Sequence, residues 1–382
     1  MPKLSVSDRI SRPGPKKILS LDGGGVRGVL TLSFLKRIEN ELRGRLGGGP
    51  DFRLSDYFDL IGGTSTGAII AAGLALGFSV EKLQKLYLQL SREVFKKSIW
   101  KLGLFSAKFP EEPFTKALKQ EFGEVAIGGE EIRTGLAIMA KRLDTASPWI
   151  IHNNPKGKYF SPEGNCEAVP NRDFLLRQVI RASTAAPTYF KPERMKVAEG
   201  MDAAFVDGGV STFNNPALQL FLLATVKGYE FNWKTGQDDI LLVSVGTGTP
   251  DLRLNPGEVM KMPALQMLGQ SLLSLINDCD WQNQAILQLI SKCPDCWEMD
   301  AEMGNLKDEN VLSQKLLTYV RYNAIFERDW LKSNAGMELS PKQVKSLAEI
   351  DNIGNLELLA KVGEQTAERQ IKAKHFPDKF DI

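Results

Sequence analysis

The sequence predicts a three-layer α/β fold, a central, mostly parallel sheet with helices on both faces, extended by a helical C-terminal third. Three observations lead there. Short apolar runs alternate with stretches of helical periodicity between residues 16 and 250. The first unit of strand, glycine turn and helix is followed directly by a second of the same kind. After about Pro250 the strand signals stop and long helical patterns take over.

In chain order, residues 1–15 carry prolines, a glycine and little apolar content, and are expected to be a flexible leader. "KKILSLD" reads as a buried strand that stops at "GGG"; Val29, Leu32, Leu35 and Ile38 then recur at helical spacing. "YFDLIGG" is the second strand, "TST" a tight turn, and "GAIIAAGLAL" a helix of small residues able to pack closely on a sheet. Ser79 is placed to cap a helix whose apolar face is Val80, Leu83, Leu86, Tyr87, Leu90 and Val94. "TGLAIMAKRL", "PWIIHNN", "AAFVDGG" and "DDILLVSVGTG" are further strands, with the helix "NRDFLLRQVIRAS" among them. Beyond Pro250 come a long helix through "PALQMLGQSLLSLINDCDWQNQAILQLIS", a Ser340-Pro341 capping box closed by Gln343, and a last polar-faced helix. The domain expectation is therefore a leader, 1–15, a main domain, 16–250, and a helical region, 251–382, packed on it.

Of the 382 residues, 43% are hydrophobic and 25% charged, an ordinary globular balance. Forty-eight basic against 46 acidic residues provide no global field to capture nucleic acid. The basic N-terminus lacks an apolar signal-peptide core, and "AIIAAGLALGF" falls short of the ~20 residues that span a bilayer. Four cysteines fit a reducing compartment, so a cytoplasmic location is expected. Cys293 and Cys296 form a C-x-x-C with no further ligand pair beside it, and read as ordinary thiols near a helix end rather than a zinc site.

"DGGGVRG" satisfies G-x-G-x-x-G through Gly23, Gly25 and Gly28, a weak dinucleotide signal. Its confirming acidic residue, about 20 positions on at the end of a second strand, falls here in helix and loop. Asp22 would also repel a pyrophosphate. No G-K-[ST] follows, so the loop is not a P-loop. A glycine run between strand and helix can instead point backbone N–H groups at a transient anion. Gly23, Gly24, Gly25, Val26, Arg27 and Gly28 are the candidates for such an oxyanion hole; the bland alternative is a turn kept tight for packing.

"GTSTG" frames Ser65 by Gly63, Thr64, Thr66 and Gly67 as G-x-S-x-G between strand and helix, the setting of a nucleophile elbow. A base is then required, and the chain has only His152 and His375. The first lies in or after an apolar strand and the second near the chain end, in a tail expected to fray; both read as structural or surface residues. A carboxylate is the alternative. Asp207 ends a buried strand, and Gly208 and Gly209 after it leave room for close approach. Burial and a hydrogen bond to Ser65 could make it an adequate base; the bland alternative is a turn aspartate that caps a loop.

D-G-G-G-x-R-G, G-T-S-T-G and D-G-G in this order resemble the patatin-like phospholipases, as does "RASTAAPTYF" before the last of them. The resemblance runs from about Lys16 to Gly248. It implies the patatin-like α/β/α fold and a Ser–Asp dyad, with Ser65 as nucleophile and Asp207 as base. It also implies an oxyanion hole around Gly24 and Gly25, and hydrolysis of phospholipid or other lipid acyl esters through an acyl-serine, with no metal or cofactor. Arg27 would position the glycine loop, meet a lipid phosphate or form a structural ion pair. Expected partners are lipid, a peripheral membrane contact, a small-molecule activator and a second copy of the chain, with no nucleic acid. The rival reading is a ligand- or nucleotide-activated effector of antiphage type, silent until its C-terminal region is engaged. "FKKSIWKLGLFSAKFP" interleaves aromatic residues, Trp100 and Phe105 among them, with lysines and no acid, and is expected either to meet lipid or to form a satellite cluster under a loop.

Overall fold

A computed structural model describes residues 4–94, 109–162 and 167–381 of the chain. In chain order the first half comprises α1 (Val6–Ser11), β1 (Lys16–Leu21), α2 (Gly28–Arg45), α3 (Leu54–Tyr57), β2 (Leu60–Thr64), α4 (Thr66–Ala75), α5 (Val80–Val94), α6 (Glu111–Phe122), β3 (Gly135–Arg142), β4 (Ser147–His152) and α7 (Leu176–Ser183). Then follow β5 (Glu193–Ala198), β6 (Met201–Asp207), α8 (Ala217–Thr225), β7 (Ile240–Val245), β8 (Thr249–Pro250), α9 (Pro256–Val259), α10 (Ala264–Ile290), β9 (Ser291–Lys292), β10 (Leu317–Tyr322), β11 (Ile325–Phe326), α11 (Arg328–Ala335), α12 (Pro341–Leu347) and α13 (Leu356–Gln370).

The main sheet runs β5-β6-β3-β2-β1-β7-β10-β9, with β4 on the side of β3. Its centre is parallel, and β4, β5 and β6 enter antiparallel. β1, β2 and β7 are buried along their whole length, as strands covered by helices on both faces must be. One apolar cluster joins one face of the sheet to α2, α4, α5 and α13, and a second joins the other face to α8 and α1. These are the three layers that strand and helix alternation implied.

Register sets the position of every loop that matters. Leu21 of β1 pairs with Gly63 of β2 and with Val245 of β7, so the loops after these three strands leave the sheet side by side. That is the carboxyl edge, where open α/β sheets place their sites.

Two expectations are corrected. Residues 4–15 are anchored at several points rather than loose. Ser5 caps α1 by accepting the Asp8 N–H (3.1 Å), Ile10 is buried, and Trp233 Nε1 donates to Ile10 O (2.9 Å). Arg12 also pairs at 2.7 Å with the fully buried carboxylate of Asp59, which requires a cation.

The region after Pro250 is not purely helical either. β10 lies inside the main sheet between β7 and β9, buried at every residue. Thr318 and Arg321 interrupt its apolar run and hide the strand signal. Both are satisfied in place, Thr318 Oγ1 by donating to Gln237 O (2.6 Å) and Arg321 by Asp22.

Candidate active site

Ser65 stands between β2 and α4 with φ 56° and ψ −122°, a conformation a serine adopts at a cost on the order of 1–3 kcal/mol. The flanking glycines make the turn feasible. A Cβ on Gly63 would overlap the carbonyl of Gly67, and one on Gly67 would overlap Leu21 O and come within 2.8 Å of Asp22 O. The strand-to-helix turn therefore rests directly on the end of β1. Ser65 N–H donates to Ser183 Oγ (2.9 Å), and Ser183 Oγ–H to Met139 O (2.6 Å), tying the turn to α7 and β3. Thr64 and Thr66 hold the two sides, by hydrogen bonds with Phe213 O and with the Tyr87 hydroxyl.

Asp207 reaches Ser65 by running against the sheet. β6 descends antiparallel to β3 and ends with Asp207 opposite Ala140, one residue beyond Met139, which pairs with Thr64. Ser65 Oγ–H donates to Asp207 Oδ2 at 2.6 Å, and Gly209 N–H donates to Oδ1 at 2.7 Å. Gly208 lets the chain pass close to Met139, because a Cβ there would come within 2.5 Å of Met139 O. Burial pushes the Asp207 carboxyl up to about 6, against the lowering effect of its two hydrogen bonds.

The glycine loop lies against the elbow; a Cβ on Gly23 would be 3.2 Å from Ser65 Cβ. Of the six candidate residues, four spend their N–H groups inside the protein. Gly23 donates to Asn214 O (3.0 Å), Val26 to Ile350 O (2.8 Å), Arg27 to Gly24 O (3.2 Å), and Gly28 to the carbonyls of Gly25 and Val26. Among the described residues, the N–H groups of Gly24 and Gly25 donate to no other group. Arg27 Nε reaches Gly24 O (3.3 Å), and burial lowers its guanidinium to about 10.

Several residues that hold this loop could not be read from local pattern. Thr247, after β7, donates from Oγ1 to Gly23 O (2.8 Å) and touches the space where a Gly24 Cβ would be. Ile350 presses its carbonyl where a Gly25 Cβ would be, and Gly25 has φ 57°, so glycine is required twice over. Arg321 grips Asp22 at the root of the loop. The only sequence signals were the polar runs "STFNNP" and "GTGTP" next to strand ends.

Gly24, Gly25, Ser65 and Asp207 line one cavity of about 370 Å³. Its remaining wall is largely apolar, from Ile69, Leu90, Val94, Phe114, Phe190 and Leu272 among others, a lining suited to an acyl chain. Neither histidine belongs to it. His152 is buried against Phe231, and burial lowers it to about 4. His375, expected in a frayed tail, is buried instead, bonded to the Tyr322 hydroxyl (2.8 Å) and Asp295 (2.9 Å). Cys293 and Cys296 follow α10, with Cys296 Sγ–H donating to Cys293 O (3.4 Å). Trp100 and Phe105 lie outside the described residues. Among the described residues, no helix is long and apolar enough to cross a membrane.

The sequence pattern of one family, described as patatin-like phospholipase, matches residues 19–221. A protein of Escherichia coli (strain TW11681) described as a cGAMP-activated phospholipase is 31% identical over 249 residues, 64% of this chain and 65% of that one. A probable inactive patatin-like protein 9 of Arabidopsis thaliana is 29% identical over 64% of each chain, and Patatin-16 of Solanum tuberosum 28% over 66% of each. The chain thus spans just under two thirds of the length of these relatives.

Proposed function

The chain belongs to the patatin-like phospholipase family, and on that premise we propose that it is a serine acyl hydrolase releasing fatty acids from membrane phospholipid. The observation that carries this reading is the 2.6 Å hydrogen bond from Ser65 Oγ to Asp207, at the wall of an apolar cavity and beside the uncommitted N–H groups of Gly24 and Gly25.

In the proposed sequence Asp207 takes the Ser65 proton as Oγ attacks the ester carbonyl. The oxyanion is held by Gly24 and Gly25, each donor worth about 3 kcal/mol of transition-state stabilisation. Collapse breaks the ester bond, and the alcohol leaves with the proton from Asp207. Water then attacks the acyl-serine, its proton passing to Asp207 and on to Ser65 as the fatty acid departs. The raised Asp207 carboxyl suits this exchange, because a base nearer neutrality accepts and returns a proton more readily.

The test is fatty-acid release from mixed phospholipid vesicles by wild type, Ser65→Ala and Asp207→Asn. Both variants are expected to lose at least about a thousandfold in rate. Turnover near the wild-type rate by either would remove the dyad.

A second reading makes the same site a ligand-activated effector. It is favoured by the relative described as a cGAMP-activated phospholipase, and by the dependence of the glycine loop on Ile350 and Arg321, both outside the matched segment. A ligand that moved this region would move the oxyanion donors. Hydrolysis that starts only on adding a cyclic dinucleotide supports this reading, and full activity of the purified protein alone rejects it.

A further inference from the structure

We propose that the first half of α10 is a bilayer-inserting element that responds to loose lipid packing rather than to lipid charge, and that it delivers lipid to the Ser65 cavity. The proposal rests on the acyl-hydrolase reading above. No charged residue occurs between Lys261 and Asp278. At about 3.6 residues per turn, Leu265, Leu268, Leu272, Leu273, Leu275 and Ile276 fall on one half of the helix. Gln266, Gln270, Ser271, Ser274 and Asn277 fall on the other, interrupted only by Met267.

This apolar half is not a core face. Leu265, Leu268, Leu272 and Leu275 are 55–66% exposed, although leucines on a helix beside a core are ordinarily covered. One edge of the same arc is already part of the site, because Leu272, Leu273 and Ile276 line the cavity that holds Ser65. A protein partner seated on Leu272 would close that cavity. A bilayer seated there would instead join its acyl region to the cavity wall, so lipid is the occupant the geometry favours.

The chemistry of the opposite half decides which bilayer. Helices that bind anionic surfaces carry Lys and Arg on their polar face, whereas the polar groups on this one are only amides and hydroxyls. With no charge to steer it, binding must come from burying leucines where acyl chains are exposed between head groups. Strongly curved membranes offer such sites irrespective of head-group charge.

The experiment uses flotation of the full chain with small, highly curved and large, flat vesicles of purely zwitterionic phosphatidylcholine, at low and high salt. It compares wild type with the triple variant Leu265→Gln, Leu268→Gln, Leu275→Gln, which leaves the cavity-lining residues unchanged. Wild type is expected to bind small vesicles preferentially and to resist salt. The triple variant is expected to lose about tenfold or more of that binding, while hydrolysing a dispersed short-chain ester at the wild-type rate.

Unchanged flotation of the triple variant, or wild-type binding that needs anionic lipid and vanishes in salt, overturns the proposal. So does a wild-type dimer in light scattering that the triple variant abolishes without altering flotation, which would assign the face to a second copy. Flotation reads membrane binding without hydrolysis, and the dispersed ester reads Ser65 without a membrane. A failure of α10 and a failure of the dyad are therefore separable.

Discussion

Arg321 of β10 binds Asp22 at the end of β1 through two hydrogen bonds, 2.9 Å and 2.5 Å, across 299 positions of sequence. Both side chains are buried, and Arg321 also donates to Ser244 Oγ at 2.7 Å. The pair fastens the root of the glycine loop to a strand from the far end of the chain. Arg321→Met removes the cation that bonds directly to the Asp22 carboxylate in a low-dielectric site, and is expected to cost about 3–5 kcal/mol. Adding Asp22→Asn should restore much of this, since breaking a buried pair is worse than removing it. Urea unfolding of the single and double variants checks this; a loss under about 1 kcal/mol for Arg321→Met would count against the pair.

On the proposed dyad, the Asp207 carboxyl, raised to about 6 by burial, should tie activity to pH. In the proposed mechanism Asp207 is the base and must be ionised, so kcat/KM should fall tenfold per pH unit below about 6 and level off above it. The stability effect has the opposite sense. A carboxyl raised in the folded state stabilises fully below its unfolded value of 3.8, and that contribution is lost as pH rises through about 6. At pH 8 the ionised Asp207 costs the fold about 3 kcal/mol. Asp207→Asn should therefore raise Tm at pH 8 and have little effect at pH 4, and no difference between the two would contradict the burial account.

Ser183 touches no reacting atom, but its hydroxyl accepts the Ser65 N–H and donates to Met139 O. Ser183→Ala leaves a strained turn with an unpaired N–H, and should cost about 1–3 kcal/mol. If Ser183 acts by positioning, kcat falls while KM holds, and Ser183→Thr restores part of the rate. A change in stability alone would make it structural only.

Glycine substitutions should divide by what surrounds them. Gly67→Ala forces a methyl group into the carbonyls of Leu21 and Asp22, backbone that cannot yield, and is expected to cost about 3 kcal/mol or more and abolish activity. Gly44, exposed near the end of α2, has nothing within 4 Å of a Cβ, and Gly44→Ala should stabilise by about 0.5–1 kcal/mol. Denaturant midpoints of the two variants test the contrast.

Sequence pattern was most legible where a local rule had one solution. A strand-to-helix turn framed by Gly63 and Gly67 is a local object, as is the capping box of Ser340 and Gln343, and both have the expected geometry. β10 was missed because Arg321 looks like a surface residue until Asp22 is seen opposite it. The leader was misjudged for the same reason, since its order comes from Asp59 and Trp233, far along the chain.

The sequence by itself determined the alternation of layers and the family, and offered candidate side chains for chemistry, because periodicity and residue type are properties of short windows. Tertiary structure alone decided that β6 runs antiparallel and so brings Asp207 down to Ser65. It also decided which loop N–H groups stay uncommitted, since Asn214 and Ile350 engage their neighbours from distant segments and leave Gly24 and Gly25. Register and long-range hydrogen bonding depend on which strands meet, and no window of local sequence contains both partners.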